Sequence, residues 1–450
     1  MNTKLVKKIS LILIFTLLST VIPWNTVKAE SQVPEVSAHA YVVMDANSGE
    51  VLYSEHETNK IYPASTVKLM TAIVAMEQSS LTKKITTKQS VLKELPSDAS
   101  VIGLKPNKTY TLNQLLQMTL IVSAADAANT IAAGVSGSTK KFVKKMNAKA
   151  EELGMYGTSF DNAVGLDIGN GYKNTYTTAE DFAILTRYAM SKPTLRDIVA
   201  MKTYKVPTSI KKSGGKLKST NLFYSTADYS KDRYTIIGSK TGSTNAAGSV
   251  LIATARDQEN HEIICAFFGN VNRTTTYQDI RKLIDFTFNQ YDNQLISLSQ
   301  GFYDVRYRDS EQTILKYCNE GLIFGNEDGS FSPESKINQK DFVDTVNGIA
   351  KTNLIASSET KNIKVVEFAD MLMSAYPIEV SDEIYAEYAD KFTSATTLSE
   401  ENKKNLSALY HAGILPKNYE YKADSYITKE DMVLIADKLI AYVDTKVINN

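Results

Sequence analysis

Strand signals stand at both ends of a long stretch whose middle is helical, and no other feature constrains the fold of this chain more. Tyr41-Val-Val-Met44, a turn through Asp45-Ala-Asn-Ser-Gly49, and Val51-Leu-Tyr53 predict a hairpin over 40–54. A helix is predicted from about Ser65, with Leu69, Ile73 and Met76 at helical spacing, and two further helical stretches over roughly 112–134 and 139–153. Around 202–270 the texture returns to strands, in Tyr234-Thr-Ile-Ile237, Ser249-Val-Leu-Ile-Ala253 and Glu262-Ile-Ile-Cys-Ala-Phe-Phe268, and a helix over 276–290 follows. A sheet drawn from segments so far apart in the chain, with helices between them, is an α+β domain.

The stretch Asp292–Gly301 reads as a linker, and beyond it the pattern is helical and weakly repetitive. Ile337-Asn-Gln-Lys-Asp341 and Ile427-Thr-Lys-Glu-Asp431 each open a predicted helix, with Asn319-Glu-Gly-Leu-Ile-Phe-Gly325 and Tyr410-His-Ala-Gly-Ile-Leu415 ahead of them. Ile363-Lys-Val-Val-Glu-Phe-Ala-Asp370 resembles the second half of a worn middle copy. Repeated helical units that pack on one another are the expected architecture.

The N-terminus sets the compartment. Lys4, Lys7 and Lys8 precede an apolar stretch from Ile9 to about Trp24, and Val27-Lys28-Ala29 places small residues at a cleavage position. Residues 1–29 read as a signal peptide, with a retained N-terminal anchor as the alternative, and the mature chain begins near Glu30. Four of the fifty basic residues and none of the fifty acidic ones lie in that leader, so the mature chain carries a net charge of −4. Such a balance argues against a nucleic-acid partner, which calls for a strong basic excess. Cys265 and Cys318 fall in different predicted domains and read as small apolar residues, not as a disulfide. With four histidines and two cysteines, a zinc site or a histidine-dependent triad has few parts to draw on.

The chemistry points elsewhere. Ser65-Thr66-Val67-Lys68 heads the first helix, and an i, i+3 pair shares one helical face, so the Lys68 amine reaches the Ser65 hydroxyl. A lysine whose proton affinity is lowered by burial can act as the base that such a hydroxyl requires. The spacing alone is weak, since Ser80/Lys83, Ser90/Lys93, Ser138/Lys141, Ser209/Lys212 and Ser213/Lys216 share it. Context singles out Ser65, which follows Pro63-Ala64 and opens an apolar helix that would bury its lysine. Downstream, Lys240-Thr241-Gly242 starts a strand. A cation, a hydroxyl and a residue without a side chain suit a substrate carboxylate and a close approach to the strand edge, whose N–H groups can stabilise an oxyanion. The plainer reading of this tripeptide is a β-turn with a surface lysine.

In this order the two motifs resemble those of the penicillin-recognising serine enzymes. Asp45-Ala-Asn-Ser-Gly-Glu-Val-Leu-Tyr53, Tyr62-Pro-Ala-Ser-Thr-Val-Lys-Leu-Met-Thr71, Met146-Asn147 with Glu152-Leu-Gly-Met155, Thr158-Ser-Phe-Asp-Asn-Ala-Val-Gly-Leu166 and Thr178-Ala-Glu-Asp181 narrow the likeness to the D-alanyl-D-alanine carboxypeptidases, over roughly 36–291. The resemblance implies a penicillin-binding, β-lactamase-like transpeptidase fold, with an antiparallel sheet flanked by helices in a catalytic domain of 30–292. It implies Ser65 as nucleophile, Lys68 as base, Lys240, Thr241 and Gly242 as substrate-binding residues, a peptidoglycan pentapeptide as substrate and β-lactams as inhibitors. No cofactor or metal is implied. The family's third motif, Ser-x-Asn, is met by Ser123, which the resemblance casts as a proton shuttle, but Ala125 stands where the family carries asparagine. Asn129 lies one helical turn on, at a different depth.

Residues 302–350 and 386–443 resemble S-layer homology repeats, which implies an all-helical domain over 302–450 that binds a secondary cell-wall polymer. The exported protein would then sit at the cell wall of a Gram-positive-type bacterium. Neither Ile337–Asp341 nor Ile427–Asp431 keeps the arginine of the repeat signature, and Lys340 or Lys429 is the substitute. A spacer that binds nothing is the alternative. For the catalytic part the alternatives are a weakly active or inactive penicillin-binding wall protein, because of Ala125, and a β-lactamase. Class A β-lactamases carry a glutamate-bearing loop for deacylation, and no such loop is read between 155 and 181.

Overall fold

The computed structural model describes residues 32–448 apart from 98, 207–214, 225–232, 393, 395–396 and 416–421. The predicted signal peptide lies outside the described residues, as do parts of the Ser209/Lys212 and Ser213/Lys216 pairs. Among the described residues no helix is long and apolar enough to cross a membrane.

Among the described residues nine strands form in chain order: β1 (Ala40–Asp45), β2 (Val51–Glu55), β3 (Lys84–Thr86), β4 (Thr109–Thr111), β5 (Thr203–Val206), β6 (Gly215–Lys218), β7 (Tyr234–Thr244), β8 (Gly248–Asp257) and β9 (Glu262–Asn270). Five of them build the antiparallel main sheet in the order β2-β1-β9-β8-β7, so the N-terminal hairpin pairs with a strand from the far end of the domain. Side chains alternate between its faces as the period of a strand demands. Val42, Met44, Ile252, Ile264, Ala266 and Phe268 join one core with the helix Lys68–Gln78 and its neighbours, while Tyr41, Val43, Leu251, Ala253, Cys265 and Phe267 pack on the helix Arg273–Asp292. Both faces are therefore covered, which explains the near-continuous apolar runs of β8 and β9. Cys265 and Cys318 are both free thiols.

Two predicted elements differ in a way that matters for the site. The helix expected from Ser65 begins as a 3₁₀ turn, Ala64–Val67, and becomes α-helical only at Lys68. The stretch read as one helix over 112–134 is two, Leu112–Ile121 and Ala125–Ser136, broken where Ser123 adopts φ +60°. Apolar periodicity runs through such a break unchanged, because both helices bury the same face.

Residues 292–301 contain no strand, yet they are packed. Leu298 is buried against the outer core, the N–H of Ser299 donates to Asp45 at 2.7 Å, and the Asn47 amide donates to the Ser299 carbonyl at 2.8 Å. Arg306 inserts beyond them, with its guanidinium 2.7 Å from Glu262 and 2.6 Å from the Asn47 amide oxygen. Glu262 is buried and also binds Arg196, and these two cations overcome its desolvation and hold its carboxyl down at about 2.

The C-terminal helices include Glu311–Asn319, Gln339–Ala350, Val365–Ala375, Glu400–His411 and Lys429–Ile448, around their own apolar core. The three isoleucine-led segments close on one another: Ile337 N–H donates to Ile427 at 3.2 Å, Ile427 N–H to Ile363 at 3.0 Å, and Ile363 N–H to Ile337 at 3.1 Å. Each segment then opens a helix. The segment that begins at Ile363 occupies the third place in this ring.

Candidate active site

Ser65 owes its position to a constrained turn. Ala64 has φ +49°, a left-handed conformation uncommon for a residue with a side chain. Two glycines from distant segments close on this turn. A Cβ on Gly165, itself at φ +88°, would lie 1.8 Å from the Ala64 carbonyl oxygen. A Cβ on Gly242 would lie 3.0 Å from the Ser65 nitrogen and from Ala64 Cβ. The close approach expected of Gly242 is thus made by the Ser65 turn itself, which presses against the free edge of β7.

Lys68 follows one turn later with its amine 2.7 Å from Ser65 Oγ and 2.8 Å from the carbonyl of Val164. It is 1% exposed, and burial brings its pKa from 10.5 down to about 7, against a smaller opposing pull from the Asp126 carboxylate. Two of the other pairs at this spacing have plainer uses: Ser138 caps a helix, and Lys83 binds Ser79. Lys240, on β7, is also 1% exposed and donates to Ser123 Oγ at 3.0 Å and to the Thr241 carbonyl at 2.7 Å. Burial, and then the charge of Lys68, push Lys240 well below the ordinary lysine value. The five residues Ser65, Lys68, Ser123, Lys240 and Thr241, together with Gly242, therefore converge from three separate segments.

All of them but Lys240, which lies buried beneath, line one cleft with two lobes. The first, of about 530 Å³, is bounded by Ser65, Ser123, Thr220, Thr241, Gly242 and Arg273, among others. Sequence reasoning missed Thr220, whose hydroxyl accepts from Thr241 Oγ at 2.8 Å, and Arg273, whose guanidinium binds the Thr220 carbonyl and brings a cation to the rim. Neither belongs to a motif that would have marked it. The second lobe, of about 340 Å³, shares Ser65 and Ser100 with the first and adds Lys68, Ala125, Leu166 and Asp167. Its wall is tied together where Thr244, at the end of β7, donates to the buried carboxylate of Asp167.

Ala125 lies in an apolar cluster with Ala128 and Val164, backed by Leu95, Ala99 and Leu166. Asn129 does not share this cleft. It lines a separate cavity of about 440 Å³ on the other side of Val164 and Leu166, so its amide does not replace the one missing at position 125.

A buried lysine of lowered proton affinity on a serine hydroxyl, beside a second buried lysine that faces another serine, is equipment for acyl transfer without histidine. Comparisons with known proteins agree with this chemistry. The family model of the D-alanyl-D-alanine carboxypeptidases matches residues 26–272. A D-alanyl-D-alanine carboxypeptidase of Mycobacterium tuberculosis is 31% identical over 259 residues, covering 57% of this chain and 84% of that protein. One from Bacillus subtilis is 28% identical over 316 residues, 68% of this chain and 78% of its relative. Among solved structures, a D-alanyl-D-alanine carboxypeptidase from M. tuberculosis superposes with a TM-score of 0.52 at 28% identity, covering 58% of this chain and 95% of that one. Penicillin binding protein 5 from Haemophilus influenzae gives 0.51 at 27% identity, over 57% and 72%. With its sheet, its helices and more than half of its length accounted for by one group of serine peptidases, the chain belongs to the D-alanyl-D-alanine carboxypeptidase family.

Proposed function

We propose that Ser65 is the nucleophile of a carboxypeptidase that removes the terminal D-alanine from a peptidoglycan pentapeptide. The neutral amine of Lys68 accepts the Ser65 proton as the hydroxyl oxygen attacks the carbonyl between the two D-alanines. The backbone N–H of Ser65 and the free edge of β7 face the developing oxyanion. Lys240 and Thr241, with Arg273 at the rim, receive the terminal carboxylate, and Ser123 relays a proton to the leaving amine. Water then hydrolyses the acyl-enzyme. The 2.7 Å contact between Lys68 Nζ and Ser65 Oγ, in a site that lowers the lysine to about 7, carries this reading. β-Lactams, as cyclic acyl donors, would acylate the same oxygen. Intact-protein mass spectrometry after penicillin treatment should show one adduct, absent from Ser65→Ala; an adduct that survives the substitution sinks the assignment.

The proposal extends to location. The leader over 1–29 exports the chain, the catalytic part spans 30–292, and the helical region of 302–450 holds the protein to an anionic secondary polymer of a Gram-positive-type wall. The closed ring of Ile337, Ile363 and Ile427 supports a repeat-built domain. Lys340 is exposed but paired with Asp344, and Lys429 donates to the Phe324 carbonyl at 3.3 Å, so both would have to exchange partners to grip a polymer. Sedimentation with purified walls at low salt tests this half alone.

A further inference from the structure

The surroundings of Ala125 point to a substitute for the absent amide. Ala125 opens the helix Ala125–Ser136, and Ala124 before it offers no capping side chain. The orphan N–H of Ala125 donates instead to the carbonyl of Ser100 at 2.7 Å. The next residue, Asp126, is 3% exposed and accepts the N–H groups of Ile102 at 3.1 Å, Gly103 at 2.8 Å and Leu104 at 2.8 Å. These bonds fasten the segment Ser100–Leu104 across the start of the helix and hold Ser100 against position 125. Ser100 lines both lobes of the cleft, and Ser65 lines both with it. Ser100 is exposed at the cleft, and among the described residues its hydroxyl has no hydrogen-bond partner. On the side of position 125 its neighbours in the wall, Ala99, Ala125, Val164 and Leu166, offer no polar side chain.

We infer that the Ser100 hydroxyl supplies the substrate hydrogen bond that an asparagine at position 125 would make, binding the amide of the residue that precedes the scissile bond. The inference rests on the acyl-transfer reading of Ser65. A hydroxyl is both donor and acceptor, so it meets either end of a peptide amide, which the methyl of Ala125 would leave unpaired. The role is one of substrate binding, and the proton path through Lys68 and Ser123 does not pass through Ser100.

A double-mutant cycle on the full chain tests it, with penicillin acylation and D-alanine release from a pentapeptide as readouts. Ser100→Ala should lower kcat/KM by roughly 3- to 10-fold, the worth of one neutral hydrogen bond. Ser100→Thr, which keeps the hydroxyl, should retain most of the rate. In the Ala125→Asn background the loss on removing Ser100 should shrink below about twofold, because the new amide takes over. An unchanged melting temperature separates these effects from misfolding. A silent Ser100→Ala, or an equal loss in both backgrounds, overturns the inference while leaving Ser65 acylation intact. A wild-type chain that penicillin does not acylate at Ser65 overturns both readings together.

Discussion

As the base proposed for Ser65, Lys68 would work only without its proton, and its surroundings decide when that is so. The folded protein lowers its pKa from 10.5 to about 7, so at neutral pH a sizeable fraction of the amine is already a free base. Acid protonates it, and the acylation rate should therefore fall about tenfold per pH unit below about pH 7 and level off above it. Rapid-quench penicillin acylation across pH 5–9 measures this limb, and a flat profile would remove Lys68 from the role of base. That Ser65, Lys68, Lys240, Thr241 and Gly242 come together in space was legible because motif, order and flanking pattern agreed. Arg273 and Thr220 were not, since a rim cation and a hydroxyl on an irregular segment carry no periodic or motif signal. Ser100 became visible only when the Ala125–Ser100 hydrogen bond put two positions side by side.

At the scale of elements, the Ser65 turn is held by β7 on one side and by the loop through Gly165 on the other. Gly165→Ala places a methyl 1.8 Å from the backbone oxygen of Ala64, at a φ of +88° that L-residues rarely adopt. Acylation should drop by at least about 100-fold even where the variant stays folded, because displacement of a nucleophile by about 1 Å is felt on that scale. Stopped-flow penicillin binding and circular dichroism distinguish this from unfolding. At the start of β9, Glu262 faces Arg196 and Arg306 in a buried cluster. Glu262→Gln leaves two buried cations without a counter-charge and should lower stability by about 3–5 kcal/mol in urea melts. The carboxyl is depressed from 4.5 to about 2, so its stabilising effect is complete above pH 4.5 and fades as pH falls toward 2. The variant should lose this part of the acid-unfolding slope. The hairpin, the helix after Ser65 and strands β7 to β9 followed from period and composition. The break at Ser123 did not, because both flanking helices keep one apolar stripe.

Over the whole molecule, the catalytic part and the helical C-terminal region each hold a core of their own, yet Arg306, Ser299 and Leu298 are anchored in the first of them. A fragment of 30–295 should fold and be acylated at the rate of the full chain, but should melt at a lower temperature, since it loses Arg306 beside Glu262 and the Ser299 bond to Asp45. Differential scanning calorimetry with penicillin labelling checks both halves. Aggregation of the fragment would show that the two regions depend on a common core. The residues of the sequence were enough to determine an α+β domain with a sheet of distant segments, the serine–lysine chemistry and a repeat-like helical tail, because period, motif and order are local properties of a chain. The tertiary structure alone decided which glycines shape the Ser65 turn, which residues close the cleft, that Asn129 faces another cavity, and that the linker is a packed joint. Each of these is a distance between segments remote in sequence, set by how the sheet and helices pack and not by any pattern along the chain.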